Sequence, residues 1–163
     1  MKRIALAALI AGTAILPLSA HAASVTSDAG AKIIAPLQIA NSTALYFGTI
    51  APSLTASDSV VVSPAGAKTC WSELTCLTDD HTAALFNVSG EADFSYTIEL
   101  PNSVSISNGA GGTMTVDEFS GSKASGTLSA GTDSFTVGGK LSVAANQATG
   151  EYTGTFTVSV NYQ

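Results

Sequence analysis

Apolar and polar residues alternate along much of this chain, with a period that suits β-strands and does not suit helices. The clearest run alternates Phe94, Tyr96, Ile98 and Leu100 with Ser95, Thr97 and Glu99. Pro101 then ends the run, because proline has no N–H for a β-ladder. Side chains two residues apart share one face of a strand, so the pattern predicts a strand with one buried face.

Similar runs predict further strands at residues 33–39, 44–50, 59–63, 84–89, 113–119, 134–144 and 151–162. Clusters of Gly, Asn, Asp, Ser and Pro separate these runs and favour turns. Gly138 and Gly139 interrupt one run without changing its parity, which predicts a bend or bulge. Residues 51–80 are the least regular and are predicted to be a long surface connection. Seven or eight strands and no convincing helix predict an all-β fold, an immunoglobulin-like Greek-key β-sandwich.

The first 22 residues have the pattern of a signal peptide. Two basic residues, Lys2 and Arg3, precede an apolar stretch at residues 4–18 and a small-x-small cleavage site, Ala-His-Ala, at residues 20–22. A membrane anchor is the alternative, but a spanning helix needs about 20 apolar residues without interruption. We therefore expect residues 1–22 to be removed on secretion.

The charge of the chain argues against nucleic acid as a partner. The 163 residues include 12 acidic and 6 basic side chains, a net charge of −6, whereas phosphate binding needs clustered Lys and Arg. Without residues 1–22 the charge is 4 − 12 = −8, no arginine remains, and His81 is the single histidine. Such a chain has few groups for acid–base chemistry near neutral pH, so we expect it to bind no cofactor and not to be an enzyme.

The two cysteines, Cys70 and Cys76, are six residues apart. In an oxidising compartment such a pair closes a small disulfide loop that stabilises the fold by about 2 kcal/mol. Metal binding is the alternative, but with His81 as the nearest further ligand the coordination of zinc would be incomplete. Asp79 and Asp80 precede His81, and because consecutive side chains diverge we expect a solvated loop there and no metal site.

The last fourteen residues, 150–163, carry the most informative pattern. The side chains that share one face of the predicted strand are Tyr152, Gly154, Phe156, Val158, Val160 and Tyr162. With Gly150 at its start and a penultimate Tyr162, the segment resembles the C-terminal motif of chaperone-usher pilins. Short motifs at residues 34–37, 46–48 and 135–139 resemble a numbered bacterial domain family of unknown function whose genes often neighbour chaperone-usher genes.

The pilin resemblance implies an incomplete sandwich. In that family each subunit lacks its last strand, and a periplasmic chaperone fills the gap by β-strand addition. At the outer-membrane usher, the N-terminal extension of the next subunit replaces the chaperone. This donor-strand exchange gives a homopolymer of neighbouring subunits, because a head-to-tail interface that does not close on itself propagates as a filament. It also implies that residues 150–162 are recognised by chaperone and neighbour, and that the protein passes through the periplasm to a cell-surface fimbria.

Residues 23–32 are the candidate donor strand, and residues 33–163 are the predicted sandwich domain. The odd positions, Val25, Ser27, Ala29 and Ala31, run into Ile33 along one face, and mostly polar residues occupy the other face. The alternative is that residues 23–39 form an ordinary first strand with Pro36 at an edge.

Together these patterns predict a structural subunit of a bacterial surface pilus, and a single domain without an added binding module favours the shaft over the tip. The alternative is a self-complete secreted β-sandwich that binds a surface glycan or protein, with Trp71 in the disulfide loop as the contact. A secreted hydrolase that depends on His81 is a third hypothesis.

Overall fold

The computed structural model describes residues 22–77 and 80–163, and these residues form β-strands and no helix. Their strands are β1 (Gln38–Thr43), β2 (Ile50–Ala51), β3 (Asp58–Val62), β4 (Lys68–Cys70), β5 (Thr75–Cys76), β6 (Ala84–Ser89), β7 (Ser95–Glu99), β8 (Ser103–Ser107), β9 (Thr113–Gly121), β10 (Ser125–Thr127), β11 (Thr132–Val143) and β12 (Ser159–Tyr162). The predicted all-β fold is confirmed. Nothing in this part of the chain is a helix of the length and apolar character that crossing a membrane requires. Residues 1–21 of the predicted signal peptide lie outside the described residues.

The chain divides between Lys32 and Ile33 into two units. In the first unit the described residues, 22–32, belong to no strand, and every one of them is exposed. The second unit, residues 33–163, contains all of the strands given above.

Two antiparallel sheets make up most of the second unit. The larger sheet runs in the order β1-β6-β11-β3-β4, with β9 also paired to β11 and β8 paired to β9. The smaller sheet has the order β10-β7-β12, and β2 pairs with β5 as a separate short ribbon. β11 organises the larger sheet, because its first half pairs with β6 and its second half with β3 and β9.

Alternating side chains of these strands fill two core clusters. The first core cluster is Phe47, Val60, Val62, Leu74, Val116, Leu141 and Val143. The second core cluster is Ala84, Phe86, Val88, Tyr96, Leu128, Phe135 and Val137. Burying one Val, Leu or Phe side chain contributes about 1.5–3 kcal/mol, so the apolar faces of the sheets provide the main stabilisation of this β-sandwich.

The glycine pair in β11 forms the predicted bulge. The register of β11 against β9 shifts between Gly138 and Lys140. A Cβ atom on Gly138 would lie 2.7 Å from the carbonyl carbon of Ser63, so a larger residue would push the neighbouring chain away.

Two predicted strands near the start of the domain are wrong in their bounds. β1 begins at Gln38 and not at residue 33, and Pro36, just before it, has no N–H to donate. The structure therefore has no continuous strand over residues 23–39. Of the predicted strand at 44–50, the structure has a bridge between Tyr46 and Thr82 and the first residue of β2, Ile50.

The predicted surface connection at residues 51–80 is also wrong in part. Within it the strand predicted at 59–63 is confirmed as β3, but β4 and β5 were not predicted. Two of these strands have only three and two residues, which is too short for alternation to reveal them. The connection is therefore folded into the edge of the larger sheet.

Candidate functional site

The C-terminal segment, residues 150–163, is paired along one edge within the described residues. β12 pairs with β7, and Thr153 forms a bridge with Ser107 at the end of β8. Between these points five residues (154–158) face seven (100–106), and none of the five makes a backbone–backbone hydrogen bond to another described residue. Pro101, in the facing stretch, has no N–H to offer. The predicted strand at 151–162 is therefore regular only from Ser159 onward.

The other edge of this segment, called the open edge below, has no partner strand in the described part of the chain. Its backbone N–H and C=O groups are therefore available to another strand. From residue 152 to residue 163 the sequence has no Lys, Arg, Asp, Glu or Pro. Natural sheets protect their edges with charges, prolines or bulges, so an edge without charge or proline favours strand addition.

The apolar face of the segment lies against the second core cluster. The half-buried side chains there are Phe156, Val158, Val160 and Tyr162. The ring centroid of Phe156 is 6.1 Å from that of Phe86 and 4.9 Å from that of Phe119. These side chains are core residues by their contacts, yet each keeps part of its surface in water.

β1 borders the same core cluster from the larger sheet. It pairs with β6 along one edge, and its other edge has no partner among the described residues. Leu37 and Ile39 pack against the second core cluster and are half-buried. Two unpaired edges, those of β1 and of the C-terminal segment, thus adjoin one incompletely covered core.

The start of the C-terminal segment is held by Asn108. The Asn108 Nδ2 donates to the carbonyl oxygen of Thr149 at 3.3 Å, and its Oδ1 accepts from the N–H of Gly112 at 2.9 Å. Gly150 has a φ of 146°, which favours glycine. A Cβ atom there would lie 3.1 Å from the Cβ of Asn108, so the predicted Gly150 has both a conformational and a steric reason to be glycine.

The next two residues of the apolar face are also fixed. The Tyr152 hydroxyl donates to the carbonyl oxygen of Ala148 at 2.7 Å and accepts from the Gln147 Nε2 at 2.8 Å. A Cβ atom on Gly154 would lie 2.7 Å from the Cγ2 of Ile106, so the backbone here lies directly on β8. Gly154 therefore permits a close approach of two strands.

The end of the segment is held by Tyr162. Its hydroxyl donates to the carbonyl oxygen of Ala35 at 2.9 Å and accepts from the N–H of Glu91 at 2.7 Å. Its ring meets that of Phe94 edge-on, with centroids 5.8 Å apart. Gly90 is needed beside it, because a side chain there would collide with the hydroxyl.

The candidate donor residues lie in an exposed stretch. Val25 is 94% exposed, and Ser27, Ala29 and Ala31 are exposed as well. Ile33, the first residue of the second unit, is also 94% exposed. A Val and an Ile fully in water leave apolar surface that burial elsewhere would stabilise.

The predicted disulfide between Cys70 and Cys76 is confirmed, with Cα atoms 6.3 Å apart. It joins β4, an edge of the larger sheet, to β5 of the short ribbon. Inside the loop Leu74 is buried in the first core cluster, whereas Trp71 is 54% exposed. The loop therefore has one side chain in the core and one facing solvent.

A partly buried group of three side chains, Tyr96, Lys123 and Asp133, supports the strand that pairs with β12. The Tyr96 hydroxyl donates to the Asp133 Oδ2 at 2.9 Å, and the Lys123 Nζ donates to the Asp133 Oδ1 at 2.8 Å. Burial raises the pKa of Tyr96 above its usual range, and the bond to Asp133 raises it further. Burial alone would raise the pKa of Asp133, but hydrogen bonds from Lys123, the Ser134 N–H and Tyr96 outweigh it and lower the pKa. Both groups therefore hold fixed protonation states near neutral pH.

His81 lies apart from this group. Its Nε2 is 3.0 Å from the carbonyl oxygen of Gly66, so this nitrogen carries the proton in the neutral ring. Asp79, which the sequence places beside it, lies outside the described residues. Within the described ranges no three His, Cys, Asp or Glu side chains are grouped as a metal ion would need.

Fold and site together define a disulfide-bonded all-β protein whose C-terminal strand is paired along one edge. Residues 37–162 match the family model described as Domain of unknown function (DUF4402), and since this is more than half of the chain, the chain belongs to that family. No significant match is found among curated proteins or among solved structures.

Proposed function

We propose that this protein is a structural subunit of a bacterial surface fimbria, assembled by donor-strand exchange. The observation that carries the proposal is the one-sided pairing of the C-terminal segment. A strand added to the open edge would pair with its free backbone groups and cover the half-buried Phe156, Val158 and Val160. An immunoglobulin-like Greek-key topology with one strand missing is part of this proposal.

The donor is the exposed stretch at residues 23–32 together with Ile33 of a neighbouring copy. A donated strand would form roughly eight backbone hydrogen bonds at about 1 kcal/mol net each, and burial of its Val and Ile would add about 1.5–3 kcal/mol each. Such a contact would dissociate slowly, because many bonds must break together. The resulting fibre is a homopolymer of this subunit.

Assembly would require partners along the export route. We propose that a signal peptide at residues 1–22 directs the chain to the periplasm, where a chaperone occupies the open edge until the outer-membrane usher exchanges it for the next subunit. The disulfide between Cys70 and Cys76 supports passage through an oxidising compartment. The role is structural and non-enzymatic.

The test is polymerisation of the full chain, exported to the periplasm of a bacterial host and run unboiled on an SDS gel. We expect a ladder spaced by one subunit. A variant in which Gly/Ser residues replace residues 23–32 at equal length should remain monomeric. A ladder from that variant would refute the donor assignment, and full-chain monomers that unfold cooperatively without any partner would refute the polymer.

A self-complete β-sandwich that binds a surface glycan or protein is the second candidate, favoured by the exposed indole of Trp71. Exposed Trp side chains are common contacts for sugars and proteins because they supply apolar area at low entropic cost. A glycan array probed with the full chain and with Trp71→Ala tests it. Binding that Trp71→Ala abolishes would favour this candidate, and no binding by the full chain would remove it.

A further inference from the structure

Phe156 fills the middle level of the incompletely covered core. Its ring contacts Phe86 on the larger sheet, with centroids 6.1 Å apart, and Phe86 in turn stacks on Phe135 at 5.4 Å. Aromatic rings at these distances are in direct contact. A side chain from an added strand therefore has no room between Phe156 and Phe86.

The neighbours of Phe156 on the same face are smaller. Gly154 precedes it and has no side chain, while Val158 and Val160 follow it. Between Tyr152 and Tyr162, an added strand thus meets one bulky side chain, Phe156, with smaller ones beside it. Shape complementarity favours a small side chain on the added strand opposite Phe156.

The N-terminal stretch has its smallest side chains at its middle. Val25 and Ile33 are its largest inward candidates and stand at its two ends, and between them lie Ser27, Ala29 and Ala31. These five positions span 33 − 25 = 8 residues, and the apolar face of the C-terminal segment spans 162 − 152 = 10.

The match does not depend on strand direction. If one end of the donor aligns with Tyr152, its centre, Ala29, lies opposite Phe156. If that end aligns with Gly154, Ala29 lies opposite Val158, and Ser27 or Ala31 lies opposite Phe156. In either register, and in parallel or antiparallel pairing alike, a small donor side chain meets Phe156.

We propose that Phe156 is a size filter for the donor strand, and that the occupant it selects is the N-terminal stretch of a second copy of this chain, with Ala29 opposite Phe156. This inference rests on the proposed function. It adds that the open edge selects strands by the volume of the side chain opposite Phe156. Apolar strands with a bulky side chain at that position are rejected.

The experiment compares ladder formation by full-chain variants. Ala29→Leu should slow the appearance of SDS-resistant ladders about tenfold or more, because overpacking at a filled site is strongly unfavourable. Thr26→Leu is the matched control, since it places the same side chain on the opposite face, and it should polymerise within about twofold of the wild type. The double variant Ala29→Leu/Phe156→Ala should recover most of the lost rate.

The outcomes separate this inference from the proposed function. Unchanged ladders from Ala29→Leu, or no recovery in the double variant, would overturn the size filter while leaving the polymer in place. Absence of ladders from the wild type would overturn the polymer itself. Near-UV circular dichroism shows whether Phe156→Ala folds. If it does not, ladder formation by Ala29→Val is compared with that by Ala29→Val/Phe156→Leu, and recovery of the rate in the double variant is again the expected result.

Discussion

The hydroxyl of Tyr162 donates a hydrogen bond to the carbonyl oxygen of Ala35, although 127 residues separate the two in the chain. The N–H of Glu91 donates to the same hydroxyl, and the N–H of Ala35 donates to the Glu91 carboxylate at 3.1 Å. The three residues form a closed set of bonds. The C-terminal end of the open edge is therefore tied to the chain just before β1.

The first prediction concerns this contact. Tyr162→Phe keeps the ring against Phe94 and removes two hydrogen bonds, so we expect the free energy of unfolding to fall by about 1–2 kcal/mol. Urea denaturation monitored by fluorescence measures the change. Tyr46→Phe is the control, because Tyr46 is 48% exposed, and it should leave stability within about 0.5 kcal/mol. Equal effects of the two variants would contradict the role of the Tyr162 hydroxyl.

The second prediction concerns Gly150. Gly150→Ala must adopt a φ of 146° and also place a Cβ atom against Asn108, so we expect a loss of about 2–3 kcal/mol. Gly109 is the comparison: its φ of 71° lies in the left-handed region that other residues can adopt, and a Cβ atom there meets nothing within 4 Å. Gly109→Ala should cost about 1 kcal/mol, from backbone strain alone. If the two variants unfold at the same denaturant concentration, neither the larger φ of Gly150 nor contact with Asn108 adds to the cost.

Runs with a period of two predicted β3, β6, β9 and β11 well, whereas the equally regular runs at 44–50 and 151–162 are strands only in part. Residues 84–89 form β6 with the predicted bounds, because each inward side chain reaches the core. Residues 44–50 alternate equally well, yet they pair only at Tyr46 and at the end that enters β2, and alternation alone does not reveal whether a partner strand exists.

Within the candidate site, the apolar face could be read from the sequence, but the residues that fix it could not. Asn108 holds the start of the C-terminal segment, yet it lies 41 residues from its partner Thr149. Gly90 leaves room for Tyr162 at the other end, yet it lies 72 residues (162 − 90) away in the chain. Contacts across such separations leave no local pattern. The Asn108-Gly109 pair signalled a turn, which was the only local sign of the first anchor.

The third prediction uses the lowered pKa of Asp133. A carboxyl group whose pKa is lower in the folded state than its unfolded value of about 3.9 stabilises the fold above that pH. This stabilisation is lost as the pH falls through the folded pKa. Asp133→Asn should therefore be less stable than the wild type by about 1–3 kcal/mol at pH 7, with the difference shrinking below about pH 4.

Thermal unfolding from pH 2 to pH 8 measures that difference. Glu118→Gln is the control, because Glu118 pairs with Lys140 at the surface and its side chain is 69% exposed. Its unfolding midpoint should follow that of the wild type at every pH, since exposed ion pairs contribute little. A constant gap between Asp133→Asn and the wild type down to pH 2 would show that charge at Asp133 is not what stabilises the fold.

The last prediction concerns the disulfide. Cys70 and Cys76 close a loop of few residues, so the chain entropy removed from the unfolded state is small, and Cys70→Ala/Cys76→Ala should cost about 2 kcal/mol. The variant should keep its fold, because Leu74 remains in the first core cluster and β4 remains paired with β3. Reductant should lower the stability of the wild type to that of the double variant and leave the double variant unchanged. A double variant that is unfolded at 25 °C would instead show that the bridge between β4 and β5 holds the larger sheet to the ribbon. A wild type whose stability does not change with reductant would show that the reductant does not reach the disulfide.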